Sequence, residues 1–215
     1  MGRSNLIIII PAKNESKTIK RVIKYSIKFG TVLVVDDGST DGTGTIAIKN
    51  GAKLIKNKKS LFYDESLNKG FNYAKKKKFK FIITVDGDGE HDLKMIPVFL
   101  KNLNKGYDLI LGKRKFLPRF SEKIISRFYK LKFNVNDLYC GMKGYDSKWI
   151  NRFGVFDRFG SIGTDLATRI IKSKKTKFKE IIVKIKKRKD SPRIGNNFSS
   201  NIKIFKSFFL NNIKN

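Results

Sequence analysis

Four short runs of aliphatic, mostly β-branched residues recur along the first half of the chain: Leu6–Ile10, Thr31–Val35, Phe79–Val85 and Tyr107–Leu111. Each is apolar at consecutive positions rather than at alternate ones, which is the pattern of a strand covered on both faces. Helical spacing fills the intervals. Ser16–Phe29 puts Ile19, Val22, Ile23 and Ile27 on one face and stops at Gly30. Thr45–Asn50, Ser66–Lys77 and Leu93–Leu103 read as further helices, and Ala52–Ile55 as a further strand. Strand and helix in alternation predict an α/β fold, a Rossmann-like, mostly parallel sheet with helices on both faces.

Beyond residue 112 the pattern is mixed. Phe120–Phe133 carries Phe120, Ile124, Ile125, Phe128 and Leu131 at helical spacing; Thr164–Lys172 reads as a helix and Lys177–Ile185 as a strand. Ser199–Ile213 predicts a basic amphipathic helix, with Ile202, Phe205, Phe208, Phe209 and Ile213 set against Lys203, Lys206 and Lys214. No linker composition interrupts the chain. The expected organisation is one domain over 1–195 and a basic amphipathic tail over 196–215. No apolar run approaches the ~20 residues of a membrane-spanning helix, and no secretory signal is visible, so the expected location is cytoplasmic, peripheral at most at the inner face of the cell membrane. A single cysteine, Cys140, and a single histidine, His91, exclude an intramolecular disulfide and cysteine- or histidine-rich metal sites.

The formal charge is +30, from 48 basic and 18 acidic residues, and such a surface attracts polyanions of any kind. The scarce acids are therefore the informative ones. Asp36, Asp37 and Asp41 follow the second apolar run, and Asp86, Asp88, Glu90 and Asp92 follow the third. In parallel α/β sheets ligands bind outside the carboxyl ends of strands, so both clusters are predicted at the functional edge. Asp86-Gly87-Asp88 suits an ordinary turn, and equally a Mg²⁺ or Mn²⁺ ion that completes its shell with substrate phosphates. Neither a GxxxxGK[ST] nor a strand-linked GxGxxG loop occurs, which argues against ATPases and dinucleotide oxidoreductases.

Four blocks in this order resemble family 2 glycosyltransferases of GT-A fold: Ile9–Glu15, Val34–Thr43, Asn68-Lys69-Gly70 and Val85–His91. Two later pieces, Asp108–Arg114 and Asp137–Gly141, are similar to the polyprenyl-phosphate branch, the dolichol-phosphate mannose synthase-like enzymes. The resemblance implies a nucleotide-sugar pocket lined by Pro11, Lys13 and Glu15, with Val35 and Asp37 holding the base. It implies a DxD-type site in which Asp86, Gly87 and Asp88 meet the metal and diphosphate, with Glu90 as a third ligand. Arg114 and Arg188 would contact phosphates, and Asp165 falls where an acceptor-side acid is expected. The implied reaction is inverting, metal-dependent transfer of a hexosyl or N-acetylhexosaminyl group from a nucleotide-diphosphate sugar, in cell-envelope glycan synthesis.

The acceptor stays open at this level. A polyprenyl phosphate is already ionised, whereas a glycan hydroxyl needs a base, for which Asp165 is the candidate; as an alternative, Asp165 caps a helix. The first acceptor would place the Phe120–Phe133 face and the tail at an anionic membrane surface. A nucleotidyltransferase is the competing enzyme, but Pro-Ala-Lys-Asn-Glu stands where its glycine-rich loop would be. A nucleic-acid binder would interleave Arg with aromatics and keep acids away from the binding edge; here Lys outnumbers Arg nearly four to one, and nucleic acid is not the expected partner.

Overall fold

The computed structural model describes residues 5–186 and 198–213. The apolar runs become β1 (Leu6–Ala12), β2 (Thr31–Asp36), β4 (Phe81–Thr84) and β5 (Leu109–Lys113), joined by β3 (Lys53–Lys56) and β7 (Phe178–Ile182). Six of the seven strands run in one direction. The seventh, β6 (Lys143–Asp146), runs against them, and the order is β3-β2-β1-β4-β6-β5-β7. β6 was not legible as a strand, because Lys-Gly-Tyr-Asp carries neither alternation nor an apolar run.

Consecutive residues of β1 supply the two cores. Ile7 and Ile9 join Leu33, Val35, Ile82 and Tyr145 on one face, under α3 (Phe62–Lys76), α5 (Phe120–Phe133), α6 (Lys148–Phe153), α7 (Asp165–Lys172) and α8 (Phe198–Ile213). Ile8 and Ile10 join Val32, Val34 and Ile83 on the other, under α1 (Ile19–Ser26), α2 (Thr43–Lys49) and α4 (Ile96–Asn104). The expected mostly parallel sheet with helices on both faces is thus the observed one.

Asn68-Lys69-Gly70 explains itself on α3. Asn68 bonds the backbone of Asp157 in both directions, its side chain donating to the carbonyl at 3.0 Å and accepting from the amide at 2.9 Å. Lys69 donates to Asn57 at 2.6 Å. Gly70 lets the helix lie directly on β1, since a Cβ there would stand 2.5 Å from Ile9 Cγ2.

The tail helix packs back on the domain, by a face that matches the expected one only in part. Its buried positions are Ser200, Ile204, Ser207 and Asn211. Ser207 donates to the Ser161 carbonyl at 2.7 Å, and Asn211 donates to Thr164 Oγ1 at 2.8 Å. The Phe208 ring lies 5.0 Å from that of Phe128 on α5. Ile202 and Phe209 stay half exposed. The seat therefore combines polar bonds with Ile204, Phe205 and Phe208, and the expected stripe is divided: Phe205 and Phe208 pack on the core while Ile202 and Phe209 stay outside.

The Gly70 contact makes a sharp expectation. Alanine is the better helix former by about 1 kcal/mol, but overpacking against Ile9 costs about 1–3 kcal/mol. Gly70→Ala should therefore lower the unfolding free energy in a urea titration; a stabilised variant would show that α3 does not bear on β1 as closely as described.

Candidate active site

The carboxyl ends of β1, β2 and β4 meet at one edge. Gly87 is the joint. A Cβ on it would stand 3.2 Å from Ala12 Cβ, 3.3 Å from the Pro11 carbonyl and 3.5 Å from Glu15 Cγ. Thr18 Oγ1 donates to the Gly87 carbonyl at 2.8 Å and to a Glu15 carboxylate oxygen at 3.1 Å. Pro11, Glu15 and Gly87 are thus brought together, with half-buried Lys13 between the first two in sequence.

Asp36, Asp37 and Asp41 lace loops to one another. Asp36 accepts from the Ser39 amide, and Asp41 from the amides of Ser16 and Thr43. Asp37 takes four donors: Asn57 Nδ2 at 2.9 Å, Ser60 Oγ at 2.6 Å, and the amides of Leu61 and Phe62 at 2.7 and 3.1 Å. Burial alone would raise its pKa, but those donors outweigh it and hold the carboxyl below the ordinary range. Val35 is fully buried in the sheet core. Of the two residues expected at the base, Val35 thus has its side chain in the sheet core, and Asp37 ties the 57–62 segment to the end of β2.

Asp86 and Asp88 stand half-buried beyond β4. Tyr63 donates to Asp86 Oδ1 at 3.3 Å, and His91 Nε2 lies 3.7 Å from Asp86 Oδ2. Asp88 accepts the Glu90 amide at 2.9 Å. A Cβ on Gly141 would fall 2.3 Å from Asp86 Oδ2, so only glycine leaves the carboxylate where it is. Among the described residues no three His, Cys, Asp or Glu side chains are grouped as a metal site, so Glu90 is not assembled with the two aspartates as a third ligand. Two carboxylates still suit Mg²⁺ or Mn²⁺, which habitually take one or two from protein and the rest from phosphate and water.

Two other expectations change. Arg114 donates through Nε and Nη2 to Asp137 at 2.7 and 2.9 Å and through Nη2 to Glu122 at 2.9 Å, and Arg119 pairs with Glu122 as well. Burial would lower the Arg114 pKa, but these carboxylates more than offset it and raise it. Its guanidinium is committed to an internal network rather than offered to a phosphate. Asp165 is fully buried at the start of α7. Arg158 grips it through Nε and Nη2 at 3.0 and 2.9 Å, and Arg169 Nε reaches it at 3.2 Å. With its oxygens taken up by Arg158 and Arg169, the carboxylate anchors the 157–164 loop to α7. Arg188 lies outside the described residues.

Three residues at or one contact away from Asp86 went unread in the sequence: Tyr63, Asp64 and Lys143. The first two sit in the first turn of α3, which begins at Phe62, ahead of the periodic stretch from Ser66. Lys143 lies on the unread strand. Asp64 accepts the amides of Gly163 and Ile162 at 2.6 and 3.2 Å; burial, helped by the nearby Asp157 charge, pushes it up to about 6.

A Rossmann-like sheet with one inserted antiparallel strand, and a paired-aspartate loop at its carboxyl edge, defines the GT-A class of nucleotide-sugar transferases. The chain belongs to glycosyl transferase family 2, whose family model matches residues 7–124. It is 37% identical over 133 residues to an uncharacterized protein of Methanocaldococcus jannaschii, covering 58% of this chain and 58% of that one. It is 25% identical over 117 residues to polyprenol monophosphomannose synthase of Mycolicibacterium smegmatis, covering 50% of this chain and 44% of the relative. The match spans about half the length of these curated relatives. In fold it is similar to glucosyl-3-phosphoglycerate synthase from Mycobacterium tuberculosis, whose structure holds Mn²⁺, uridine diphosphate and phosphoglyceric acid; the TM-score is 0.76 at 15% identity, over 98% of this chain and 78% of that one.

The buried position of Asp165 is testable. Asp165→Asn leaves two guanidinium groups short of their counter-charge, and breaking a buried pair costs about 3 kcal/mol or more. Urea unfolding should show that loss. A variant of native stability with abolished turnover would restore Asp165 as a base.

Proposed function

We propose that the protein transfers a sugar, with inversion, from a nucleotide-diphosphate donor to a lipid-borne phosphate at an anionic membrane surface. The observation that carries the donor half is the Asp86–Gly87–Asp88 turn, seated on the Pro11–Glu15 segment by Gly87 and given room by Gly141. Asp86 and Asp88 would hold a Mg²⁺ or Mn²⁺ ion, which supplies positive charge against the departing diphosphate. The residues around it do the rest. Asp37, through Asn57, Ser60 and the 61–62 amides, shapes the wall of the nucleotide pocket. Gly87 and Thr18 fix the aspartate loop to that pocket, and Tyr63 orients Asp86.

Two observations favour a phosphate acceptor. An ionised phosphate needs no base, and the expected base, Asp165, is locked between arginines. The outer surface of α5 and α8 also suits a membrane. Ser121 bonds Asn201, and Phe128 and Tyr129 meet Phe208, so residue numbers advance together and the helices run side by side in one direction. Phe120, Ile124 and Leu131 are exposed on α5, with Phe128 at the edge of its contact with α8, and Phe198, Ile202 and Phe209 are exposed on α8. Lys123, Arg127 and Lys130 flank the first, and Lys203 and Lys206 the second. Aromatic residues between lysines match the boundary of an anionic bilayer. No helix among the described residues is long and apolar enough to cross one.

Two measurements test the halves separately. Thermal shift with uridine, guanosine, cytidine and thymidine diphosphates plus Mn²⁺ should show stabilisation by at least one of them, lost in Asp88→Ala; a folded protein that responds to none sinks the donor reading. Sedimentation with vesicles containing phosphatidylglycerol should capture the protein at low salt and release it at high salt. Phe120→Ser/Phe198→Ser should weaken capture at least tenfold with unfolding unchanged, because both rings are exposed. Equal capture by pure phosphatidylcholine would contradict the anionic surface.

A further inference from the structure

Among the described residues Lys143 is the one buried lysine, at 3% exposure. It stands opposite Thr84 in the β4–β6 register, so the reversed strand delivers it to the same edge as Asp86. Its Nζ donates to the Gly163 carbonyl at 3.1 Å, and no ion pair is formed with it among the described residues. Burial depresses its pKa, against the pull of Cys140, Asp137 and Asp86. A well-packed apolar residue would fill such a place at less cost in desolvation.

The partner explains the arrangement. Gly163 has φ +69°, in the left-handed region, and a Cβ on it would stand 3.1 Å from Tyr63 Cε1. Its amide goes to Asp64 at 2.6 Å and its carbonyl to Lys143. One residue is thus held from both sides by groups of opposite charge, half-buried Asp64 from α3 and buried Lys143 from β6. The other end of the same loop is fixed by Asn68 on the Asp157 backbone, and the Asp157 carboxylate accepts the amides of Phe159, Gly160 and Ser161. Tyr63, pressed against Gly163, is the residue that bonds Asp86.

The sheet order says which side this is. The Asp37 pocket belongs to β2 and β1, and Asp86 follows β4. β6 lies across β4 from β1 and β2, and the loop 157–164 bridges β6, through Lys143, to the first turn of α3, where Tyr63 meets Asp86. We propose that Lys143 and Asp64 are positioning residues which, through the Gly163 peptide, hold the loop 157–164 on the acceptor side of Asp86, and so govern acceptor engagement rather than nucleotide binding. This rests on the transferase reading for its consequence, though not for the clamp itself.

The experiment uses the full chain with Lys143→Met, Lys143→Arg and Gly163→Ala. Hydrogen exchange of the 162–164 amides should quicken at least tenfold in Lys143→Met, with the slowest amides of β1 and β4 unchanged. Affinity for a nucleoside diphosphate with Mn²⁺ should stay within about twofold of wild type. With a short-chain polyprenyl phosphate in detergent as acceptor, the acceptor KM should rise or kcat fall at least tenfold while the donor KM holds. Lys143→Arg should recover part of that loss, and Gly163→Ala should reproduce it; if Lys143→Met does not fold, Gly163→Ala carries the exchange and kinetic arms. Unchanged loop exchange would overturn the clamp. Lost nucleotide affinity with an intact loop would overturn the assignment to the acceptor side and place Lys143 on the donor. A wild-type protein that binds no nucleotide would sink the transferase reading and leave the exchange result to judge the clamp.

Discussion

One reversed strand decides what faces Asp86. A parallel strand beside β4 would put the side chains of its own carboxyl end at the functional edge. β6 runs the other way, so the edge receives its amino-terminal residues and the segment leading into them. That segment is Asp137–Met142. Asp137 collects Arg114 and the amides of Tyr139 and Cys140, which sets the approach, and Gly141 then passes within contact of the Asp86 carboxylate. Gly144, two residues into the strand, lies against Phe99 and Leu103 on the opposite face. Small residues at 141 and 144 with Lys143 between them are what a short reversed strand needs when both its faces are covered and its first end forms part of a site.

The scarcity of acids has a second reading in this light. In a chain with 48 basic residues against 18 acidic ones, carboxylates are spent inside. Asp37, Asp64, Asp157 and Asp165 each take several donors from loop backbones or guanidinium groups, and Glu122 and Asp137 neutralise Arg114 and Arg119. The lysine coat is left with few exposed counter-charges, so the positive field at the surface is close to undiluted. Asp86 and Asp88 differ from these in lying half exposed at the end of a buried strand.

What was legible follows from range. The apolar runs name their strands, because a strand buried on both faces leaves its mark on every residue, and Phe120–Phe133 marks its helix to the residue. The carboxyl-edge position of Asp86 and Asp88 follows from the strand before them. The roles of Arg114 and Asp165 did not follow, since the network that neutralises Arg114 comes from residues on α5 and the β6 approach, and Arg158 lies on a loop with no periodicity. The tail was legible in part: of the stripe Ile202, Phe205, Phe208, Phe209 and Ile213, Phe205 and Phe208 pack on the core and Ile202 and Phe209 do not, while Ser207 and Asn211 add bonds to Ser161 and Thr164 that no hydropathy pattern displays.

That seating bears on the acceptor. Ser207 and Asn211 share the seat with Ile204, Phe205 and Phe208, which leaves Phe198, Ile202 and Phe209 turned outward. Ser161 and Thr164, which receive the tail, belong to the loop and cap that Asp157, Asp64 and Lys143 fix beside Asp86. The same few residues therefore connect the exposed α5–α8 surface to the edge where the sugar would be transferred. If a lipid surface is where the acceptor waits, the helix proposed to meet it rests, through Ser207 and Asn211, on the loop proposed to meet the acceptor.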